Sequence, residues 1–224
     1  MTYEGIMSTA STNMVLSDRL WDTQGTGIWL KRAVLLVAGV MALIVASKIQ
    51  ISTVPVPVTL QLLVIMVIGA AYGPLLGAAT VASWVALGLR GVPVFAGEVA
   101  GPAYVLGATG GYILGFVIAA YVVGTLASAG WDRSPVKMAL AMAVGIVCVY
   151  VPGVAWLSAG AALLGTAGVE MISGIVGADA FAGYGWANWY AYGVKTFIWV
   201  DALKLVAAVI AFPLIWKLVG DARQ

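Results

Sequence analysis

Histidine is absent from the 224 residues, and cysteine occurs once, as Cys148 within an apolar run. These gaps exclude a histidine base, a His/Cys metal cage and a disulfide within the chain. Charge is equally scarce. Asp, Glu, Lys and Arg make up 9% of the residues, against roughly 25% in a soluble domain, while 62% are hydrophobic and the mean hydropathy is +1.04. Such a composition is that of an integral membrane protein, with room for several helical spans of about 20 residues each in one domain. No G-x-x-x-x-G-K-[ST] occurs, so the chain hydrolyses no ATP through a P-loop of its own. A net charge of +2 without a basic cluster leaves no nucleic-acid footprint. Nor does any nucleophile–base pairing or pair of carboxylates placed for hydrolysis stand out, which argues against an enzyme.

What is present is a series of apolar runs separated by sparse punctuation. Residues 1–27 are polar and mixed, with no apolar core before Ile28; they read as a cytoplasmic tail, not a cleaved signal peptide, with a short surface helix at about Leu16–Trp21. Residues 28–220 read as a single transmembrane domain, all-α. The first span is Ile28–Ser47, in which Ala38, Ala42 and Ala46 recur every fourth residue, a pattern that lets a neighbouring helix approach closely. Between Ile49 and Leu89 lie 41 residues without a charge, too many for one span. Tyr72-Gly73-Pro74 divides them into helices at about Thr59–Ala71 and Leu75–Leu89. Ahead of these, Val54-Pro55-Val56-Pro57-Val58 reads as an extended linker, because alternate prolines forbid a helix. A fourth helix is expected at Gly107–Ser128, and a fifth from Lys137 to Val151, broken or kinked at Pro152-Gly153 and continued at an angle. Irregular, tryptophan-rich chain follows over Gly165–Lys195, and a sixth helix over Thr196–Leu218.

Six spans put both termini on one side. That side carries seven lysines and arginines (Arg19, Lys31, Arg32, Arg133, Lys137, Lys217, Arg223) and the other three (Lys48, Arg90, Lys195), so the positive-inside rule places the termini in the cytoplasm. Asp201 and Lys204 sit inside the last span, three residues apart and hence on one helix face. Placing either ion in a bilayer costs about 3 kcal/mol on insertion scales, so the pair is expected to face the interior. With Lys217 at the cytoplasmic end, Asp201 rises about 24 Å above it at 1.5 Å per residue. Arg90 and Tyr150 reach the same outward layer, as do the linker and the loops. This asymmetry predicts an outward-facing pocket. Arg90 and Lys204 are candidates for a ligand carboxylate, and Asp201 for accepting N–H groups. Gln61 and Tyr150 add neutral donors and acceptors, while Trp156, Phe95 and Tyr104 wall an apolar body. The expected ligand is a small, partly apolar molecule with an acid end and an N–H-bearing end. A structural ion pair, a solvated Arg90 and an interfacial Tyr150 are the plainer readings of the same residues, and a solitary or ion-coupled carrier is the alternative function.

Several segments, in order, resemble the BioY family of biotin-specific substrate-binding (S) components of energy-coupling-factor (ECF) transporters. They are Pro55–Gln61 (PVPVTLQ), Tyr72–Gly77 (YGPLLG), Gly91–Gly97 (GVPVFAG), Gly107–Phe116 (GATGGYILGF), Tyr150–Leu157 (YVPGVAWL) and the Asp201/Lys204 pair. The resemblance implies a six-helix S component of a prokaryotic cytoplasmic membrane with its biotin site near the outer surface. It works with a membrane T component and two cytoplasmic ATPases, and biotin is its substrate, not a cofactor. It makes Asp201 and Lys204 the leading ligand contacts, Asp201 toward the ureido N–H groups, with Arg90 or Lys204 toward the carboxylate. It also makes Ala38, Ala42 and Ala46 a docking face for the T component. Departures from the family pattern are Trp199-Val200 before Asp201, a shortened loop at Glu98–Gly101, Gly107-Ala108-Thr109 and Ile146.

Overall fold

The computed structural model describes residues 14–21, 23, 25, 27–51, 57–98, 100–163 and 191–221. A short helix α1 (Leu16–Leu20) precedes the long α2 (Gly27–Lys48). An antiparallel ribbon of two short strands follows, β1 (Gln50–Ile51) and β2 (Val58–Thr59), paired Gln50 to Thr59 and Ile51 to Val58. Then come α3 (Gln61–Tyr72), α4 (Pro74–Leu89), α5 (Pro102–Leu106), α6 (Gly110–Ser128), a 3-10 turn (Trp131–Arg133), α7 (Pro135–Leu163), a π-helical turn (Ala191–Lys195) and α8 (Thr196–Asp221). Among the described residues, four helices are long and apolar enough to cross a membrane: α2, α6, α7 and the helix ending at Leu218. The chain is a multi-pass membrane protein. The other two expected spans, α3 and α4, are apolar but shorter; α3, with 12 residues, is only about 18 Å long.

The turn between α3 and α4 follows from Gly73-Pro74. Gly73 takes φ +81°, open to glycine without strain, and its N–H reaches back to Gly69 O at 3.0 Å, while Pro74 opens α4. The extended linker survives at its described end as Pro57 and strand β2; residues 52–56 lie outside the described residues, as does most of Gly165–Lys195. Pro152 does not end α7, which continues through it to Leu163. Here α7 lies directly against α6. A side chain at Gly111 would run into the Pro152 carbonyl, and one at Gly115 into the backbone at Cys148–Val149. A packed neighbour of this kind holds a helix together across the hydrogen bond that proline removes.

Helix α6 is the hub, packed along α7, α3 and α4. The contact is made possible by small residues: Gly124 abuts the Gly73–Pro74 turn, and Ala120 lies on Gly69. Two cores result. One joins α3, α6, α7 and α8 around Met66, Tyr112, Met142 and Phe212; the other joins α2, α3, α4 and α6 around Leu43, Ile65, Trp84 and Phe95. At one end of the bundle, α1 tucks in. Val15 and Leu16 are each 5% exposed, and Asp18 pairs with Lys31 at 2.8 Å. The segment read as tail thus contributes side chains to the packed bundle. At the other end, the ribbon and the loops gather.

Candidate functional site

The loop after α4 is held by groups that the sequence reading left unassigned. Lys48, closing α2, donates to Phe95 O at 3.0 Å and Gly97 O at 2.7 Å. Ser47 and the Trp84 indole both donate to Val94 O, at 2.8 and 3.1 Å. Phe95 enters the space left by the missing side chain of Gly88, edge-on to Trp84 and stacked on Tyr104 with centroids 4.6 Å apart. It is fully buried, behind the rings that face the cavity.

That cavity opens at the ribbon end, and the space between its walls, counted out into solvent at its mouth, is about 560 Å³. Its walls are Trp84 of α4, Tyr104 of α5, Tyr112 and Phe116 of α6, and Phe197 of α8, with Leu62, Ile113 and Val149 between them. Tyr112 is anchored by its hydroxyl, which donates to Gly193 O in the π-helical turn at 2.8 Å. Asp201 and Lys204 are 4% and 8% exposed. Lys204 Nζ lies 2.6 Å from Asp201 Oδ1 and also donates to Thr59 O at 2.7 Å. Tyr150 donates its hydroxyl to Asp201 Oδ2 at 2.6 Å. At the start of α3, the Thr59 hydroxyl donates to Gln61 Oε1 at 2.8 Å. Gln61 Oε1 is thereby engaged, and the amide N–H₂ is the group left to offer to the cavity. The site therefore presents an acceptor carboxylate, a neutral donor and an ammonium within an aromatic box.

Of the residues expected at a site, Asp201, Lys204, Tyr150, Gln61 and Tyr104 line this cavity together. Arg90, Phe95 and Trp156 do not. Arg90 is exposed beyond the end of α4, Phe95 backs the wall, and the Trp156 indole donates to Gly107 O at 2.9 Å, tying α7 to the turn before α6. The reading missed Trp84, Thr109, Tyr112, Phe116, Phe197 and Thr59. A signal existed for three of them, since Thr109, Tyr112 and Phe116 share one helical face. Trp84 and Phe197 carried none. On α2, Ala38 and Ala42 are exposed, whereas Ala46 is 3% exposed; a four-residue repeat winds slowly around a helix of 3.6 residues per turn, and by its third member it has turned inward.

The family model described as the BioY family matches residues 20–221. The chain belongs to the BioY family. Among curated relatives, the "Probable biotin transporter BioY" of Pyrococcus horikoshii is 34% identical over 166 residues, covering 74% of this chain and 84% of that protein. The "Biotin transporter BioY" of Thermotoga maritima is 31% identical over the same coverage of each. The crystal structure of an S-component for biotin from an ECF-type ABC transporter superimposes with a TM-score of 0.63 at 22% identity, covering 87% of this chain and 95% of that one. The chain thus has the fold of that S-component.

Proposed function

We propose that this chain is the biotin-binding S component of an ECF-type transporter in a prokaryotic cytoplasmic membrane, and makes no covalent change to its substrate. Residues 28–220 form the substrate domain, and α3 and α4 complete six passes as shorter helices. The lysine and arginine excess at the α1 end supports an orientation with that end in the cytoplasm and the cavity mouth outside. Biotin enters the aromatic box with its ureido N–H groups toward Asp201, while Lys204 balances the charge. A membrane T component docks on the exposed Ala38–Ala42 face of α2, and cytoplasmic ATPases drive reorientation.

The observation that carries this reading is the buried Asp201–Lys204 pair, hydrogen-bonded to Tyr150 and the Thr59 carbonyl in one wall of the cavity. Biotin titration of the purified protein by calorimetry, with Asp201→Asn, Asp201→Ala and Lys204→Ala alongside, tests it. Removing a charge-assisted hydrogen bond to a ligand is expected to weaken binding by about 10- to 100-fold. Wild-type affinity in all three variants would remove the pair from the site.

A further inference from the structure

Both charges that line the cavity are already committed to each other. Asp201 and Lys204 meet at 2.6 Å, the second carboxylate oxygen is taken by Tyr150, and the ammonium is also held by Thr59 O. Among the described residues, the pair leaves the cavity lining electrically neutral. Four of the chain's eleven lysines and arginines belong to elements at this end: Lys48, Arg90, Lys195 and Lys204. Lys48 is spent on the Phe95 and Gly97 carbonyls. Arg90 lies just beyond the end of α4, is not part of the cavity lining and is exposed. Lys195 is exposed as well, two residues before the cavity-lining Phe197 and so on the opposite face. Residues 52–56, 99 and 164–190 contain Glu170 and Asp179 and no lysine or arginine.

A carboxylate drawn into this cavity would face Asp201 with only a shared cation between them, a like-charge encounter in a poorly screened space. A cyclic urea meets no such obstacle. Its N–H groups suit the Asp201 carboxylate, its carbonyl suits the Gln61 amide or the Lys204 ammonium, and the net charge stays unchanged. We infer that the cavity reads the urea end of its ligand and leaves the acid end in water at the mouth, so that its substrate class includes neutral, carboxyl-capped forms of the same molecule. This rests on the assignment of biotin above.

The test is competitive titration of the full-length protein in lipid nanodiscs with biotin, its primary carboxamide, its lysyl amide, and a biotin methylated on a ureido nitrogen. The carboxamide and lysyl amide are expected within about threefold of biotin, and the N-methyl compound about 10- to 100-fold weaker, the range for losing one charge-assisted hydrogen bond. Arg90→Gln and Lys195→Gln are expected to bind biotin as the wild type does. A carboxamide weakened by tenfold or more, or a comparable loss in either variant, would overturn the inference while leaving biotin as the ligand. Failure of biotin itself to bind would remove the functional assignment and this inference together.

Discussion

A buried ion pair returns its desolvation cost only when the remaining lone pairs and N–H groups are also satisfied. Around Asp201 and Lys204 that condition is met by two neighbours from distant parts of the chain, the Tyr150 hydroxyl and the Thr59 carbonyl. Tyr150→Phe keeps the ring and removes the donor. Affinity for biotin should fall by about 3- to 10-fold, the worth of one such bond, as read by calorimetry; unaltered affinity would show that Asp201 needs no such positioning. Lys204→Met strips the carboxylate of its counter-ion. Loss of one partner from a buried pair costs about 3–5 kcal/mol, so the variant should melt well below the wild type. Adding Asp201→Asn to it should recover much of that stability, though not the binding.

Among the helices, α6 is the element with least tolerance. At Gly124 a methyl group would meet the Gly73 and Pro74 backbone at 2.6 Å, where no side chain can move aside. Gly124→Ala is therefore expected to cost about 1–3 kcal/mol, the usual penalty of overpacking, seen as a lowered thermal midpoint. The 3-10 turn after α6 supplies a second case. Asp132 is 0% exposed; its Oδ2 accepts the Trp216 indole N–H at 2.5 Å, and among the described residues its Oδ1 is buried without a side-chain hydrogen-bond partner. Burial pushes this carboxyl up from its ordinary value of 3.8. A raised folded-state value means that the protonated form is preferred on folding. The contribution to stability is complete below that ordinary value and is lost as pH rises through the raised one. Asp132→Asn removes the titration. The melting temperature of the wild type, relative to this variant, should decline as pH is raised from about 4 toward neutrality; parallel curves would show that Asp132 bears no such cost.

On the scale of the whole molecule, α8 is fastened at both ends, by Asp201 and Lys204 at the cavity and by Trp216 on Asp132 at the α1 end. Arg133 lies over the Trp216 ring and donates to Met14 O at 3.3 Å. The start of the described chain and the far end of α8 therefore meet at one end of the bundle. The bundle hides Ala46 and leaves Ala38 and Ala42 bare, so two substitutions in one helix should behave differently. Ala42→Trp should abolish co-purification with a T component while leaving biotin affinity intact. Ala46→Trp should instead lower the thermal midpoint of the isolated protein, because its side chain has no space inside the bundle. Retained co-purification of the Ala42 variant would count against the docking face.

Much of this was legible in the sequence where local chemistry is strict. The Tyr72-Gly73-Pro74 turn, the extended Pro57–Val58, the α1 helix and the shared face of Asp201 and Lys204 all follow from backbone freedom, missing N–H groups and helical spacing, none of which needs a distant partner. Scarce charge alone marked the ion pair as interior. What remained open was rotation: which side of each apolar helix faces the cavity. Lipid is as apolar as the core, so a membrane helix carries no polar face to mark its inward side. That is why Trp84 and Phe197 went unnoticed in the wall, Phe95 was expected within it, and Arg90 was expected at a cavity whose walls do not include it. The same holds for Val15, Leu16 and Lys48, whose partners lie far along the chain. The sequence by itself determined the membrane environment, the turns and the costly pair; only the tertiary structure decided which rings and hydrogen-bonding groups surround that pair, because contact between helices depends on their relative rotation, and uniformly apolar surfaces leave that rotation unwritten.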